Sequence, residues 1–321
     1  MAVPARLETV ATLGNGIMGH GIAQIFAVAN YQVILIGRNL AKLAAALENI
    51  KTSLAQFQAH GLVTAAEAAR ALERIRVSTV LEDAADAQLV IEAVTEDLAL
   101  KHEIFERLEK ICPPPTVLAS SSGQPASNLI AKMRQPAQVV AAHFWYPPQL
   151  IPLVELCAGP ETAPDIVPWL VQLLRQVGKE PVIINRELPG FIGNRLQFAL
   201  LREAWALWAS GAASAEAIDA VARNSFGRRL AITGPIESAD VGGLDTFFAF
   251  ASFLLPELDV ETQPPSAIKN LVAQGERGLA SGRGVYHWTQ RDGAALLDAR
   301  REELFRHLKR DVKEKTRAAY E

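Results

Sequence analysis

The spacing of apolar residues changes twice near the start of the chain. Glu8–Leu13 reads as a short buried strand, Ile17, Ile22, Ile25, Phe26 and Ala29 recur at helical spacing, and Gln32–Ile36 returns to a strand-like, β-branched run. Together they predict a βαβ unit. Beyond it, Leu40–Gln58 and Ala65–Arg74 predict a helical pair and Arg76–Val80 a strand. Gln88–Val94 predicts another strand and Leu98–Lys110 an amphipathic helix with Ile104, Phe105, Leu108 and Ile111 on one face, followed by strands at Pro115–Ala119 and Ala137–Ala142. This alternation with short joints predicts an α/β fold built on a doubly wound parallel sheet.

From Pro189 onward only helical periods are seen: Gly190–Ser210, Ala215–Ser225, Leu244–Leu255 and Ser266–Gly275. The expected division is therefore a sheet domain over residues 1–188 and an all-α domain over residues 189–321. The first of these helices would bury a stripe of Phe191, Phe198, Leu201, Trp205 and Trp208. Thr246–Leu255 is apolar on all sides, so it should lie in that domain's core or at a subunit contact. The tail from Arg291 mixes 9 basic with 7 acidic residues and reads as a solvated helix.

Composition adds mainly exclusions. A chain of 321 residues exceeds one comfortable core, which favours two domains. The net charge of −3 lacks the basic excess of a nucleic-acid binder. Cys112 and Cys157 have no Cys or His partners at metal-ligand spacing, so neither a disulfide framework nor a metal site is expected. The long uncharged run Gln135–Val154 is interrupted by Pro136, Pro147, Pro148 and Pro152, which argues against a membrane helix, and the start of the chain has no apolar signal segment. A cytoplasmic protein is the expectation.

The joint between the first strand and helix is Gly14-Asn15-Gly16-Ile17-Met18-Gly19, a G-x-G-x-x-G sequence in the place that the dinucleotide fingerprint of a Rossmann-type sheet requires. Gly14 would make the tight turn, Gly16 would admit a pyrophosphate, and Gly19 would let helix and strand approach. A flavin or S-adenosylmethionine site is the competing reading. An acid is expected about 20 residues on to hold the adenosine ribose. Gly37-Arg38 stands there instead, leaving room and a guanidinium suited to a 2′-phosphate, so NADP is favoured over NAD. Ligands of such sheets lie beyond the carboxyl ends of the strands, which selects the loops at Glu92–Asp97, Ser120–Pro125 and His143–Pro148.

His143 is expected just after the strand Ala137–Ala142, and Glu155 interrupts the apolar run Ile151–Cys157, where a carboxylate without a partner would be costly. Pairing the two removes that cost and raises the basicity of the imidazole. Asn194 falls in the first turn of the helix after Pro189, and Ser120-Ser121-Ser122-Gly123 forms a polar turn.

Gly14–Ala23 (GNGIMGHGIA), Ile91–Lys101 (IEAVTEDLALK), the His143 to Glu155 spacing, Pro189–Leu196 (PGFIGNRL), Gly234–Glu237 (GPIE) and Val241–Thr246 (VGGLDT) together resemble the L-3-hydroxyacyl-CoA dehydrogenase superfamily over nearly the whole chain. His143–Pro164 and Asn194–Trp205 are most similar to the branch that holds lambda-crystallin, or L-gulonate 3-dehydrogenase, and a pyridoxine-degradation dehydrogenase. The resemblance implies hydride transfer between C3 of a 3-hydroxy acid and a nicotinamide, with His143 as general base, Glu155 as its orienting carboxylate and Asn194 on the substrate oxygen. It places Glu96 and Lys101 in contact with the cofactor and implies a homodimer formed through the helical domain.

Three departures accompany it. The ribose acid is replaced by Gly37-Arg38, Tyr146 stands where relatives carry Asn, and the substrate serine aligns without gaps to Gly123 but matches Ser122 after a one-residue slip; Ser122 is assigned. Only Lys51, Arg70, Arg74 and Arg76 lie on the Ile50–Arg76 arm that contacts CoA in relatives, which favours a small free hydroxy acid over an acyl-CoA. A crystallin-like protein that binds cofactor without turnover is the alternative outside enzymes.

Overall fold

The computed structural model describes residues 3–318, with side chains up to residue 315. Two compact units are present, one comprising the chain up to Ile192 together with that from Arg300, the other Gly193–Ala299.

The first unit is built on one eight-stranded sheet of β1 (Thr9–Leu13), β2 (Gln32–Ile36), β3 (Ile75–Ser78), β4 (Leu89–Glu92), β5 (Val117–Ser120), β6 (Val139–Phe144), β7 (Leu153–Ala158) and β8 (Glu180–Ile183). Their order is β3-β2-β1-β4-β5-β6-β7-β8, and every pairing is parallel except β6 with β7. The strands are continuous apolar runs because helices cover both faces. On one face α1 (Ile17–Val28), α2 (Leu40–Ala59), α3 (Ala65–Glu73) and α6 (Ile166–Gln176) pack over Val10, Leu35, Ile91 and Leu156; on the other, α4 (Leu98–Ile111) and α5 (Ala126–Leu129) pack over Ala11, Ile36, Val90 and Cys157.

Three sequence expectations change here. The strand expected over Ala137–Ala142 extends to Phe144, so His143 lies within β6; the antiparallel partner β7 continues the ladder through His143↔Glu155 and Phe144↔Val154. The tail is not simply a solvated helix. α12 (Gly293–Ala318) buries Phe305 in the sheet unit's core, against Phe57 at a 5.2 Å ring separation and stacked on His60 at 3.9 Å. The stripe expected along α7 (Phe191–Ala209) is buried only at Phe191, while Phe198 is exposed.

The second unit holds the rest of α7, then α8 (Ala215–Asn224), α9 (Pro235–Gly242), α10 (Leu244–Leu254) and α11 (Ser266–Ala273). Helices α8 to α11 contain no buried residue. Their apolar side chains face outward, including Val241 at 82% and Phe248 at 74% exposure, so the segment Thr246–Leu255 is not enclosed by this chain. Among the described residues no single helix is long and apolar enough to cross a membrane; the bent pair Pro235–Gly242 and Leu244–Glu257 passes on length and composition alone.

Candidate active site

The turn after β1 is shaped by three glycines. Gly14 has φ +104°, and a Cβ there would lie 2.4 Å from the Ala93 carbonyl oxygen. A Cβ on Gly19 would lie 1.7 Å from the Gly14 oxygen, so only glycine lets α1 approach this closely. Gly16 is different: it is the N-cap of α1 without a side-chain cap, and a Cβ would meet nothing within 4 Å. The space beside it and the free helix amides form a cradle for a phosphate. This turn opens onto a cavity of about 630 Å³ lined by Asn15, Gly16, Gly37, Arg38 and Val94 among others, and next to it lies one of about 340 Å³ lined by Asn15, Arg38, Asn39 and Lys42. The residues present fit a dinucleotide. At Gly37 a Cβ would lie 2.8 Å from Asn15 Oδ1, which explains the small residue at the end of β2.

At the ends of β4 and β5 a polar network is built around a fully buried carboxylate. Glu92 is 0% exposed; its Oε1 accepts from Lys101 Nζ at 2.7 Å and from the Val94 amide at 2.8 Å, and its Oε2 accepts from Ser120 Oγ at 2.6 Å. Lys101 also lies 3.8 Å from Glu96 Oε1, and Ser122 Oγ donates to Glu96 Oε2 at 2.6 Å. Lys101, expected to contact the cofactor, has 1% of its side chain exposed, and its ammonium lies between Glu92 and Glu96. Ser122 is buried with its hydroxyl committed to Glu96, which is itself accessible. The sequence places Glu92 and Ser120 at the start of crevice loops without giving either a role; Lys101, nine positions from Glu92 and on a helix, is the signal of a partner for that carboxylate.

One strand pair away, the antiparallel register sets His143 opposite Glu155 on the same face. His143 Nδ1 is 2.9 Å from Glu155 Oε2, and with 8% and 2% exposure both groups are largely withdrawn from water. A buried carboxylate requires donors, and Glu155 has more than the imidazole. Trp145 Nε1 donates to the same Oε2 at 3.0 Å, and the Ile192 amide donates to Oε1 at 2.9 Å. That amide is aimed by a turn in which Gly190 has φ +76° and Phe191 has φ +50°, a costly conformation for an aromatic residue, fixed here by burial of its ring 5.6 Å from the imidazole. The carboxylate selects the tautomer with the proton on Nδ1, leaving Nε2 with a lone pair.

The loop between β6 and β7 is tied down from below. Lys179 is buried and donates to the carbonyls of Pro148 and Ile151 at 2.5 and 3.0 Å. Burial, with a smaller contribution from Lys315, lowers its pKa to about 7. Tyr146, on the same loop, is half exposed. Asn194 lies in the first turn of α7 and belongs to the second unit. The structure thus brings together His143 with Glu155, and Ser122 with Glu96 and Lys101.

Comparison with known proteins gives the family. The model of the 3-hydroxyacyl-CoA dehydrogenase NAD binding domain matches residues 9–187, and that of the C-terminal domain matches residues 190–288. The chain belongs to the 3-hydroxyacyl-CoA dehydrogenase family. It is an oxidoreductase with an NAD-binding domain. The probable 3-hydroxybutyryl-CoA dehydrogenase of Bacillus subtilis is 34% identical over 287 residues, which span 89% of this chain and 99% of that protein. Lambda-crystallin of Oryctolagus cuniculus is 36% identical over 241 residues, 74% of this chain and 75% of the other. Among solved structures, a 5-formyl-3-hydroxy-2-methylpyridine 4-carboxylic acid 5-dehydrogenase, described as an NAD+ dependent dismutase, superposes with a TM-score of 0.86 at 29% identity, covering 94% of this chain and 97% of that one. Helix α12 lies beyond both family models.

Proposed function

We propose that this chain interconverts the 3-hydroxyl and 3-keto forms of a small free hydroxy acid, with His143 as general base. The observation that carries the reading is the Nδ1 contact of His143 with buried Glu155, which leaves Nε2 ready for the substrate hydroxyl. In the oxidation His143 takes the hydroxyl proton at Nε2, and it returns that proton in the reduction. A bound nicotinamide supplies the acceptor for the hydride leaving C3. Glu155 keeps the ring in register and balances the imidazolium as it forms. Asn194 supplies an amide to the substrate oxygen, and Ser122 acts through the carboxylate of Glu96.

The preference for a free acid over a CoA thioester rests on charge. Of the four bases between Ile50 and Arg76, Arg76 is held by Asp83 and Asp86 at 3.1 and 3.0 Å, and Lys51 lies 3.8 Å from Glu48. That leaves Arg70 and Arg74 for a strongly anionic nucleotide. The CoA-linked alternative is favoured by likeness to the Bacillus protein. Initial rates on 3-hydroxybutyrate, sugar acids and 3-hydroxybutyryl-CoA separate the two: turnover of the thioester alone refutes the free-acid reading.

NADP is favoured over NAD by the cavity lined by Asn15, Arg38, Asn39 and Lys42, which carries two cations and no carboxylate beside the N-terminus of α2. Arg38 forms no hydrogen bond or ion pair among the described residues and is free to take a 2′-phosphate. Replacing a charged contact of this kind alters binding by about 10- to 100-fold. The kcat/KM ratio of NADP to NAD is therefore expected to fall by about that factor in Arg38→Asp; a preference for NAD that Arg38→Asp leaves unchanged excludes the assignment.

The partner we propose for the second unit is another copy of this chain. The support is its wide outward apolar surface on α9 and α10, including Val241, Leu244, Phe248 and Phe253, far more than a monomer normally exposes. Light scattering at micromolar concentration should give twice the chain mass, and Phe248→Asp should shift it toward one; a wild-type monomer would contradict the proposal.

A further inference from the structure

Trp145 has no part in the proposed proton transfer, yet its indole N–H is spent on the carboxylate oxygen that holds the imidazole. His143 Nδ1 and Trp145 Nε1 approach Glu155 Oε2 at 2.9 and 3.0 Å, while Oε1 takes the Ile192 amide. The register sets His143 opposite Glu155, and Trp145 is the first residue beyond the end of β6, two positions from His143. The indole also stands edge-on to the imidazole, with centroids 5.8 Å apart and an interplanar angle of 65°.

We infer that Trp145 is a positioning residue that weakens the hold of Glu155 on His143 by donating to the same carboxylate oxygen. The inference rests on His143 being the base. A carboxylate oxygen that already accepts an indole N–H carries less charge for a second donor, so the protonated imidazole gains less from it than from an oxygen facing it alone. In the oxidation the C3 hydroxyl proton goes to Nε2 while the electron pair of the C3–H bond leaves with its hydrogen, and the resulting imidazolium must give the proton up before the next turnover. Too strong an ion pair with Glu155 would hold that proton on His143 and slow its release. The indole counters this while its rings keep water from the carboxylate.

The charged surroundings leave this effect readable. Glu155 on β7 is a charged group in contact with the imidazole, and the start of α7 contributes the Phe191 ring beside the imidazole and the Ile192 amide on the carboxylate. The end of β5 carries Ser120. On β4, Glu92 is paired with Lys101, and Glu187, before α7, accepts from the Ser127 amide.

The test is the pH dependence of kcat/KM for hydroxy acid oxidation in wild type, Trp145→Phe and Trp145→benzothienylalanine, an isostere that keeps the shape and lacks the N–H. Loss of one hydrogen bond of ordinary strength corresponds to a shift of about 0.5 to 1 pH unit. The expected result is that the acidic limb moves to higher pH by about this amount in both variants, with cofactor affinity unchanged. A lower plateau with the limb unmoved, or a limb moved to lower pH, overturns the inference and leaves the base assignment intact. A wild-type profile that survives in His143→Ala removes the base assignment instead. Should Trp145→Phe fold poorly, the isostere alone decides.

Discussion

His143→Ala is expected to lower kcat/KM for hydroxy acid oxidation by about 10²- to 10⁴-fold, the range that a positioned general base contributes. Cofactor affinity should stay within about twofold, because the phosphate cradle is formed by Gly14 to Gly19 between β1 and α1 and includes no atom of β6. Isothermal titration of the cofactor beside initial rates measures both quantities on one preparation. Glu155→Gln should be nearly as damaging to turnover for a different reason. An amide offers one acceptor oxygen where Glu155 receives Trp145, His143 and the Ile192 amide, so its NH₂ would face a donor or turn the imidazole to the wrong tautomer. Full activity in either variant would mean that the pair is a structural link between β6 and β7.

The second large effect is on stability. Lys101→Met is expected to destabilise the first unit by about 3–5 kcal/mol, as removal of one partner of a buried ion pair does. Glu92 would keep the Val94 amide and the Ser120 hydroxyl, but at 0% exposure two neutral donors leave its charge largely uncompensated. For a unit of this size the loss corresponds to a melting temperature lower by roughly 10 °C. Combining it with Glu92→Leu removes the stranded charge, so the double variant should recover much of the loss, since a buried pair is often replaced by apolar groups without penalty. Thermal melts of the two single variants and the double complete the cycle. A Lys101→Met protein as stable as wild type would show that the pair is not buried in solution, and an additive double would show that the residues are not coupled.

The features legible in the sequence are those set by short-range constraints. The βαβ unit with Gly14, Gly16 and Gly19 lies within one stretch of chain, and each glycine answers a local demand: a positive φ, open space, or contact with the turn. Glu155 was legible because a carboxylate in an apolar strand needs a donor, and His143 stood at a plausible distance along the chain. The remaining parts depend on partners far apart in sequence. The local pattern ends β6 before His143, and the antiparallel pairing with β7 carries it to Phe144. The donation from the Ile192 amide and the φ of +50° at Phe191 follow from the approach of the segment before α7 to the sheet, which no local pattern announces. Lys101 is expected in contact with the cofactor, and the burial of its ammonium against Glu92 depends on the strand β4 beneath the helix. In the same way α12 reads as polar by composition, while Phe305 inserts into the core against Phe57 and His60 from the other end of the chain.

The central claim is nicotinamide-dependent oxidation of a free 3-hydroxy acid by His143, and its most direct measurement is the rate of cofactor reduction in wild type and His143→Ala with 3-hydroxybutyrate, sugar acids and 3-hydroxybutyryl-CoA. The account predicts reduction with at least one free acid, and loss of that rate by about 10²-fold or more in His143→Ala. Cofactor that binds but is reduced with none of these substrates, or reduced equally well by wild type and His143→Ala, would contradict it.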